Sequence, residues 1–543
     1  MINGTKLWET RLDLRMRPLR ISESRSVQTY EGCPANLYQA LVSTAGIFPD
    51  RKAAADDFGH TLTYNELLQK TDQLAGCLLR DFSVTRGTHV AMMMYNSVDF
   101  GITFLALNKL GAVAVPLQTK YRKDEILSVT QRADVSCIIT EQVYADWFSA
   151  FHEQGIPVLV CQDRANGFAL DLYCSGDDPS RPDSDDLMIA DPLSDALLIF
   201  TSGTTSRSKG VLLKNYNVMH AVISYEKTLH ITCLDTTVIP VPMYLVTGLI
   251  GLFALFIYVG GTIYIQQFFR AEKVLERIRE SQVTFFHASP TVFSLLLDKQ
   301  QDYPQLPSLN KLACGSSNMP KVKILQLHEW LPQSSFHTIY GLTETSSPGT
   351  VFPDDASVSP YIGSSGIPVP GTVFKIVRDD GSEASADEIG EICISGTNIL
   401  DSYYKMDTPL LQDNWLYTGD IGYFNPEGYL FVTDRKKDMI NRGGEKICSF
   451  DVENELYHIE GILEAAVVGI PDEIYGEVPA AVVKTSETFH LSEDELRALL
   501  KKKLASYQVP VKILFLKEIP VTPNNKIDKK TIRTLFSKPA AKE

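Results

Sequence analysis

The sequence predicts an α/β fold in which helices cover mostly parallel sheets. Three observations carry that expectation. Short apolar runs, read as strands at 89–94, 113–117, 136–139, 158–160 and 196–200, alternate with helical segments such as 64–81 and 100–110. No internal repeat or long low-complexity segment interrupts them. Near Thr433 to Asn441 the pattern changes to a compact α/β unit: helix 450–459, strands 465–469 and 480–484, helix 492–504 and a Lys-rich tail. The division expected is 1–434 for a large domain and 435–543 for a small one.

Each element follows from its residues. The early strands are apolar runs, and their alternation with helical segments implies parallel sheets covered by helices. Residues 177–191 are acidic and punctuated by Pro, which reads as a loop. From Thr236 to Phe269 no residue is charged, long enough to raise the question of a membrane helix. Pro240, Pro242, Gly248, Gly251 and Gly260-Gly261 divide it, however. A buried helix at 249–259 and the strand Thr262–Ile265 fit better, and no membrane span is expected. Short strands at 391–395 and 428–432 precede the boundary.

Composition narrows the function. The 543 residues carry a formal net charge of −15 and a sequence pI of about 5.2, which disfavours nucleic acid as partner. Nine cysteines are dispersed with no C-x-x-C pair, as in a reducing compartment, so a cytoplasmic location is expected. The first twenty residues lack the apolar run of a secretory signal.

The chemistry concentrates in a few segments. Residues 199–210 read IFTSGTTSRSKG, an apolar strand entering a loop of hydroxyls and glycine that holds one lysine. Thr201, Ser202, Gly203, Thr204, Thr205 and Lys209 offer backbone N–H groups, hydroxyls and a cation to a phosphate chain. The P-loop pattern is not met, since Lys209 precedes glycine. A polar surface turn is the plain alternative. This segment resembles the phosphate loop of the adenylate-forming superfamily, the acyl- and aryl-CoA ligases, peptide-synthetase adenylation domains and luciferases. Their T-S-G-[ST]-T-G-x-P-K-G is altered here at Ser206 and Ser208.

Further segments carry the same resemblance, in family order. Tyr340-Gly341-Leu342-Thr343-Glu344 resembles Y-G-x-T-E. The likeness implies that Tyr340 stacks on adenine, Thr343 touches the α-phosphate and Glu344 holds Mg²⁺. Gly315, Ser316 and Ser317 take the place of the adenine wall. Asp420, in WLYTGD, and Arg435 resemble the ribose-binding pair, and Lys437 falls on the family's hinge. In RGGEKI, Gly443, Gly444 and Lys446 are implied to face the pantetheine channel. Pro523 to Ile527 resembles P-x-x-G-K with Asn525 for glycine, which makes Lys526 the implied catalytic lysine beside Glu344 and Thr343. The first 35 residues lie outside the resemblance. Taken singly, each segment has a plain alternative: a turn, a solvated linker or a tail lysine.

The resemblance implies a large domain of helix-covered sheets with a small barrel-like part, and a small mobile C-terminal α+β domain. It also implies an AMP-forming acid–thiol ligase that uses ATP and Mg²⁺ to adenylate an acid and passes the acyl group to CoA. Tyr244, Leu245, Gly248, Leu249 and Gly341 are candidates for the acyl pocket; core packing is the alternative for Tyr244 to Ile250. Leu245 stands where many ligases have histidine and cannot pair with an ammonium, so a hydrophobic or aromatic acid is expected rather than an amino acid. Two alternatives stay open: loading of a carrier protein, and a weakened homologue that only binds, suggested by Ser206, Ser208, Leu245 and Asn525.

Overall fold

A computed structural model describes residues 1–161, 168–171, 191–201, 208–406, 411–412, 414–486, 489–522 and 526–537. The loop expected at 177–191 and the residues Ser202, Gly203, Thr204, Thr205, Ser206 and Asn525 lie outside these, apart from Asp191.

Two helix-covered sheets form the body of the large N-terminal domain. The first runs Lys209–Lys214, Asp195–Thr201, Val113–Pro116, His89–Met93, Cys137–Glu141, Val158–Cys161, and is parallel apart from its first pair. The second has nine strands among the described residues. Its parallel centre is ordered Ser335–Tyr340, Lys311–Cys314, Phe285–Ala288, Thr236–Ile239, Thr262–Ile265, Lys52–Asp56. The helix Val98–Leu110 is buried along its whole length, which explains its nearly continuous apolar reading. Asp72 pairs with its buried Lys109 at 2.8 Å, so the ammonium keeps a counter-charge.

The expected helix 249–259 is helical throughout, but it is not uniform. Leu249–Ala254 winds as a π-helix before Leu255–Val259 resumes α geometry. Gly251 packs against the Tyr225 ring, where an added Cβ would lie 3.2 Å away. The stretch is core, and no helix among the described residues is long and apolar enough to cross a membrane.

The barrel-like part is an antiparallel sheet. Ile2–Asn3, Thr372–Val377, Gly390–Gly396 and Trp415–Phe424 pair in that order, and Leu411–Gln412 and Leu430–Arg435 both join Trp415–Phe424. The first 35 residues, outside the resemblance, are thus built into the domain. Trp8 is 1 % exposed and its Nε1–H donates to Pro368 O at 3.0 Å. Trp8→Ala should lower the unfolding free energy of this domain by about 3–5 kcal/mol, read from urea denaturation. A loss below about 1 kcal/mol would mean that the segment is only draped on the surface.

Beyond Arg435 the chain enters a smaller α+β domain. Its sheet runs Glu445–Ile447, Ile440–Arg442, Gly476–Thr485, Ile462–Asp472, with Lys512–Phe515 parallel to Gly476–Thr485. Ser449–Tyr457 and Lys529–Ser537 cover it, and Glu493–Leu500 ends four residues short of the helix expected at 492–504. Lys501 to Lys503 are exposed and follow as turns, and Leu504, whose N–H donates to Leu500 O at 2.8 Å, still packs on the same core beyond the helix's end.

Candidate functional site

Parallel strands end together, and the residues just beyond their carboxyl ends form the cleft expected of open α/β sheets. Cys314 is followed by Gly315, and Tyr340 closes its strand and is followed by Gly341. Thr201 pairs with Lys209 in the antiparallel pair formed by Asp195–Thr201 and Lys209–Lys214.

Tyr403 joins two of these ends. Its hydroxyl donates to Glu344 Oε1 at 2.7 Å, and the Lys209 ammonium lies 4.8 Å from its ring centroid. Burial, then the Glu344 charge, pushes the Tyr403 hydroxyl well above its ordinary pKa, so it stays a donor. Glu344 lies in the short 3₁₀ turn Thr343–Thr345, and Leu400 N–H donates to its backbone carbonyl at 2.9 Å. Sequence reading missed Tyr403. Its only signal was a tyrosine pair, Tyr403-Tyr404, that bridges antiparallel to Val211 just past the loop.

A second cluster stands beside the first. The Tyr340 hydroxyl donates to Asp420 Oδ2 at 2.8 Å, and Arg435 Nε meets Asp420 Oδ1 at 3.1 Å. Thr418 Oγ1 accepts from Asp420 N–H at 3.1 Å, so the T-G-D turn holds its own carboxylate in place. Burial and the Asp420 charge raise the Tyr340 pKa strongly.

Lys526 faces both clusters although it belongs to the small domain. Lys526 is exposed, and the charges of Arg435, Asp420, Glu344 and Lys437 act on it. Desolvation, then the Arg435 charge, pushes its pKa down to about 8, while Asp420 and Glu344 pull the other way. Thus Lys526, Glu344, Asp420 and Arg435 feel one another's charges.

Other expected residues stand apart. Gly443, Gly444 and Lys446 are exposed; Lys446 pairs with Asp379 at 2.7 Å, and Gly444 N–H donates to Asn441 Oδ1 at 3.0 Å. Among the described residues none of the three bonds to Tyr340, Glu344 or Asp420. Lys437 is exposed in the turn between Leu430–Arg435 and Ile440–Arg442. Ser316 and Ser317 are exposed, and Ser316 has a positive φ of 74°.

The acyl-pocket candidates divide. Tyr244 and Leu249 are buried. Gly248 is needed for backbone contact, since a Cβ there would lie 2.4 Å from Pro242 O. Leu245 and Gly341 are half-buried. Ser208, where the family has proline, accepts from Arg132 Nη2 at its hydroxyl (2.6 Å) and from Nη1 at its carbonyl (2.7 Å). That clamp fixes the loop's exit by bonds in place of a ring.

Comparison with known proteins gives the family. Residues 42–404 match the AMP-binding enzyme model, and 451–526 the AMP-binding enzyme C-terminal domain. The chain belongs to the AMP-binding enzyme family. This AMP-binding enzyme is 31% identical over 485 residues to a feruloyl-CoA synthase from an Amycolatopsis species, covering 88% of this chain and 94% of that one. It is likewise 31% identical to a 2-succinylbenzoate–CoA ligase from Oceanobacillus iheyensis, covering 90% and 97%. The o-succinylbenzoate CoA synthetase of Bacillus subtilis, solved with its acyl-adenylate intermediate, superposes with a TM-score of 0.80 at 27% identity, covering 93% of this chain and 99% of that one. The same synthetase has been solved with ATP and a magnesium ion, at a TM-score of 0.79. This AMP-binding enzyme is therefore an adenylate-forming enzyme of an acid–thiol ligase family, with a large N-terminal and a small C-terminal domain.

Proposed function

We propose that this enzyme is an ATP-dependent carboxylic acid–CoA ligase. The observation that carries the reading is the convergence of Lys526, Glu344 and the Tyr340–Asp420–Arg435 cluster on one cleft. It needs few acid–base groups, because the substrate carboxylate is itself the first nucleophile. A carboxylate oxygen attacks the α-phosphorus of ATP, the bond to the bridging oxygen breaks, and pyrophosphate leaves with that electron pair. The thiol sulfur then attacks the acyl carbonyl, AMP leaves, and the thiol proton passes to solvent.

The protein positions groups and balances charge. Asp420 is placed to accept from the ribose hydroxyls, held by Arg435 and the Tyr340 hydroxyl. Tyr340, tied to Asp420, offers its ring to adenine, and Gly315, Ser316 and Ser317 form the opposite wall. Thr201, Lys209 and Thr343 serve the phosphates, with Ser202, Gly203, Thr204 and Thr205 completing the loop. The charge of Lys526 stabilises the α-phosphate as negative charge develops there. Mg²⁺ fits Glu344: one carboxylate plus substrate phosphates and water is its usual coordination, and only one Glu344 oxygen is taken up by Tyr403. When bound, the ion neutralises phosphate charge and holds the triphosphate in line. Leu245 and Gly341 border the acyl group, which is hydrophobic or aromatic.

The domain division we propose is 1–434 and 435–543, turning at Lys437. The arrangement described here serves adenylation, because Lys526 faces the cleft while Gly443, Gly444 and Lys446 do not. A turn about Lys437 would exchange them.

Exchange of labelled pyrophosphate into ATP, driven by a broad panel of acids, tests the first half. Absence of exchange with every acid would sink the ligase reading and leave a binding homologue. Thioester yield on CoA against carrier proteins tests the acceptor. CoA is expected to give the higher yield; the reverse would make the chain a carrier-loading enzyme.

A further inference from the structure

The strand Phe285–Ala288 places one polar ring under the site. His287 is 1 % exposed, and neither of its ring nitrogens has a hydrogen-bond partner. Two other buried histidines are satisfied: His220 Nε2 lies 2.8 Å from Pro370 O, and His337 Nδ1 lies 2.8 Å from Phe352 O. A buried nitrogen with no partner destabilises the fold, so it calls for an explanation outside the chain's own packing. Burial pushes the His287 pKa down to about 3, so the ring is neutral and presents one donor and one acceptor.

Its neighbours locate it. The Tyr225 and Phe285 rings stand 5.8 and 6.3 Å away between centroids. A Cβ added to Gly315 would lie 3.5 Å from His287 Nε2 and 3.2 Å from Ile339 O. Gly315 opens the wall segment Gly315 to Ser317, and Ile339 immediately precedes Tyr340. On that side only a glycine hydrogen separates the imidazole from the wall of the cleft. The Tyr225 hydroxyl bonds Ser347 Oγ at 2.7 Å, three residues beyond Glu344. The aromatic cover over His287 is thereby anchored to the catalytic loop.

We propose that His287 determines acyl specificity: its Nε2 hydrogen-bonds a hydroxyl or carbonyl oxygen carried by the acid away from its reacting carboxylate. This rests on the ligase reading above and names the substrate class of the same site. The substituent is uncharged, because a neutral ring walled by aromatic side chains gives a second carboxylate no counter-charge. Both nitrogens are closed to bulk solvent, and the acyl group reaches Nε2 by parting Tyr225 or the Gly315 wall.

The test uses full-length enzyme and matched acids: cinnamic, 4-hydroxycinnamic and 4-carboxycinnamic acids, with octanoic and 8-hydroxyoctanoic acids. Wild type should prefer the hydroxylated member of at least one pair by about tenfold or more in kcat/KM. His287→Leu should bring that ratio close to one and leave the KM for ATP unchanged; His287→Gln should restore part of it. Gly315→Ala, which sets a methyl against Nε2 without altering the imidazole, should lose the preference too and covers the case of a misfolded His287→Leu. Dissociation constants of the corresponding acyl-sulfamoyladenosines give the same ratio without turnover. Should no acid support exchange, the ligase reading falls and these constants alone decide for or against His287. An equal preference in wild type and His287→Leu, no preference in either pair, or a His287-dependent preference for the dicarboxylic acid would each overturn the proposal.

Discussion

Lys526→Ala is expected to lower acid-dependent pyrophosphate exchange about 10²–10³-fold while sparing thioester formation from supplied acyl-adenylate. Adenylation concentrates negative charge at the α-phosphate, and Lys526 is a small-domain cation on which the Glu344 and Asp420 charges act. Thiol attack on the adenylate generates charge elsewhere. A pH profile supplies a second reading. The pKa of Lys526 is lowered to about 8, so its charge is present below that pH and lost as pH rises through it. The kcat/KM for exchange should fall above about pH 8, and Lys526→Arg should remove that alkaline limb. Equal loss in both half-reactions would show that Lys526 acts on the fold or on binding in general.

Gly444→Leu should give the opposite pattern. Its φ of +100° makes a side chain there strained by about 1–2 kcal/mol, but no atom lies within 4 Å of an added Cβ. The variant therefore folds and exchange stays within about threefold, as expected of an exposed site. Once the small domain turns, however, a leucine occupies the path of the pantetheine arm. Thioester formation should fall about 10²-fold, read as CoA-dependent release of AMP from supplied adenylate. Unchanged thioester formation would remove Gly444 from the channel.

Much of the fold was legible because the chemistry is local. The helix Tyr64–Phe82 is opened by a capping box between Thr63 and Glu66, and the reading 64–81 stops one residue short of its end. The strand Thr262–Ile265 follows its Gly-Gly break as expected. Long-range contacts were not legible. Nothing in Tyr403 announces that it would meet Glu344, 59 positions earlier in the chain. The π-turn of Leu249–Ala254 sets Gly251 against Tyr225, which lies on another helix. Tyr244 and Leu249 are buried, which no motif announces, because burial is set by the elements that pack around the segment. His287 gave a faint signal, one polar residue in an apolar strand, and only its unmet nitrogens make it stand out.

The placement of Trp8 governs how this chain can be made. Its hydrogen-bond partner Pro368 lies 360 positions later. At about 5–20 residues per second a ribosome takes roughly 20 to 70 s to supply that partner. Throughout that interval Ile2–Asn3 has no strand to pair with and the indole stays uncovered. Trp8 is thus made long before the segment that covers it, and its apolar surface waits until the antiparallel sheet is complete.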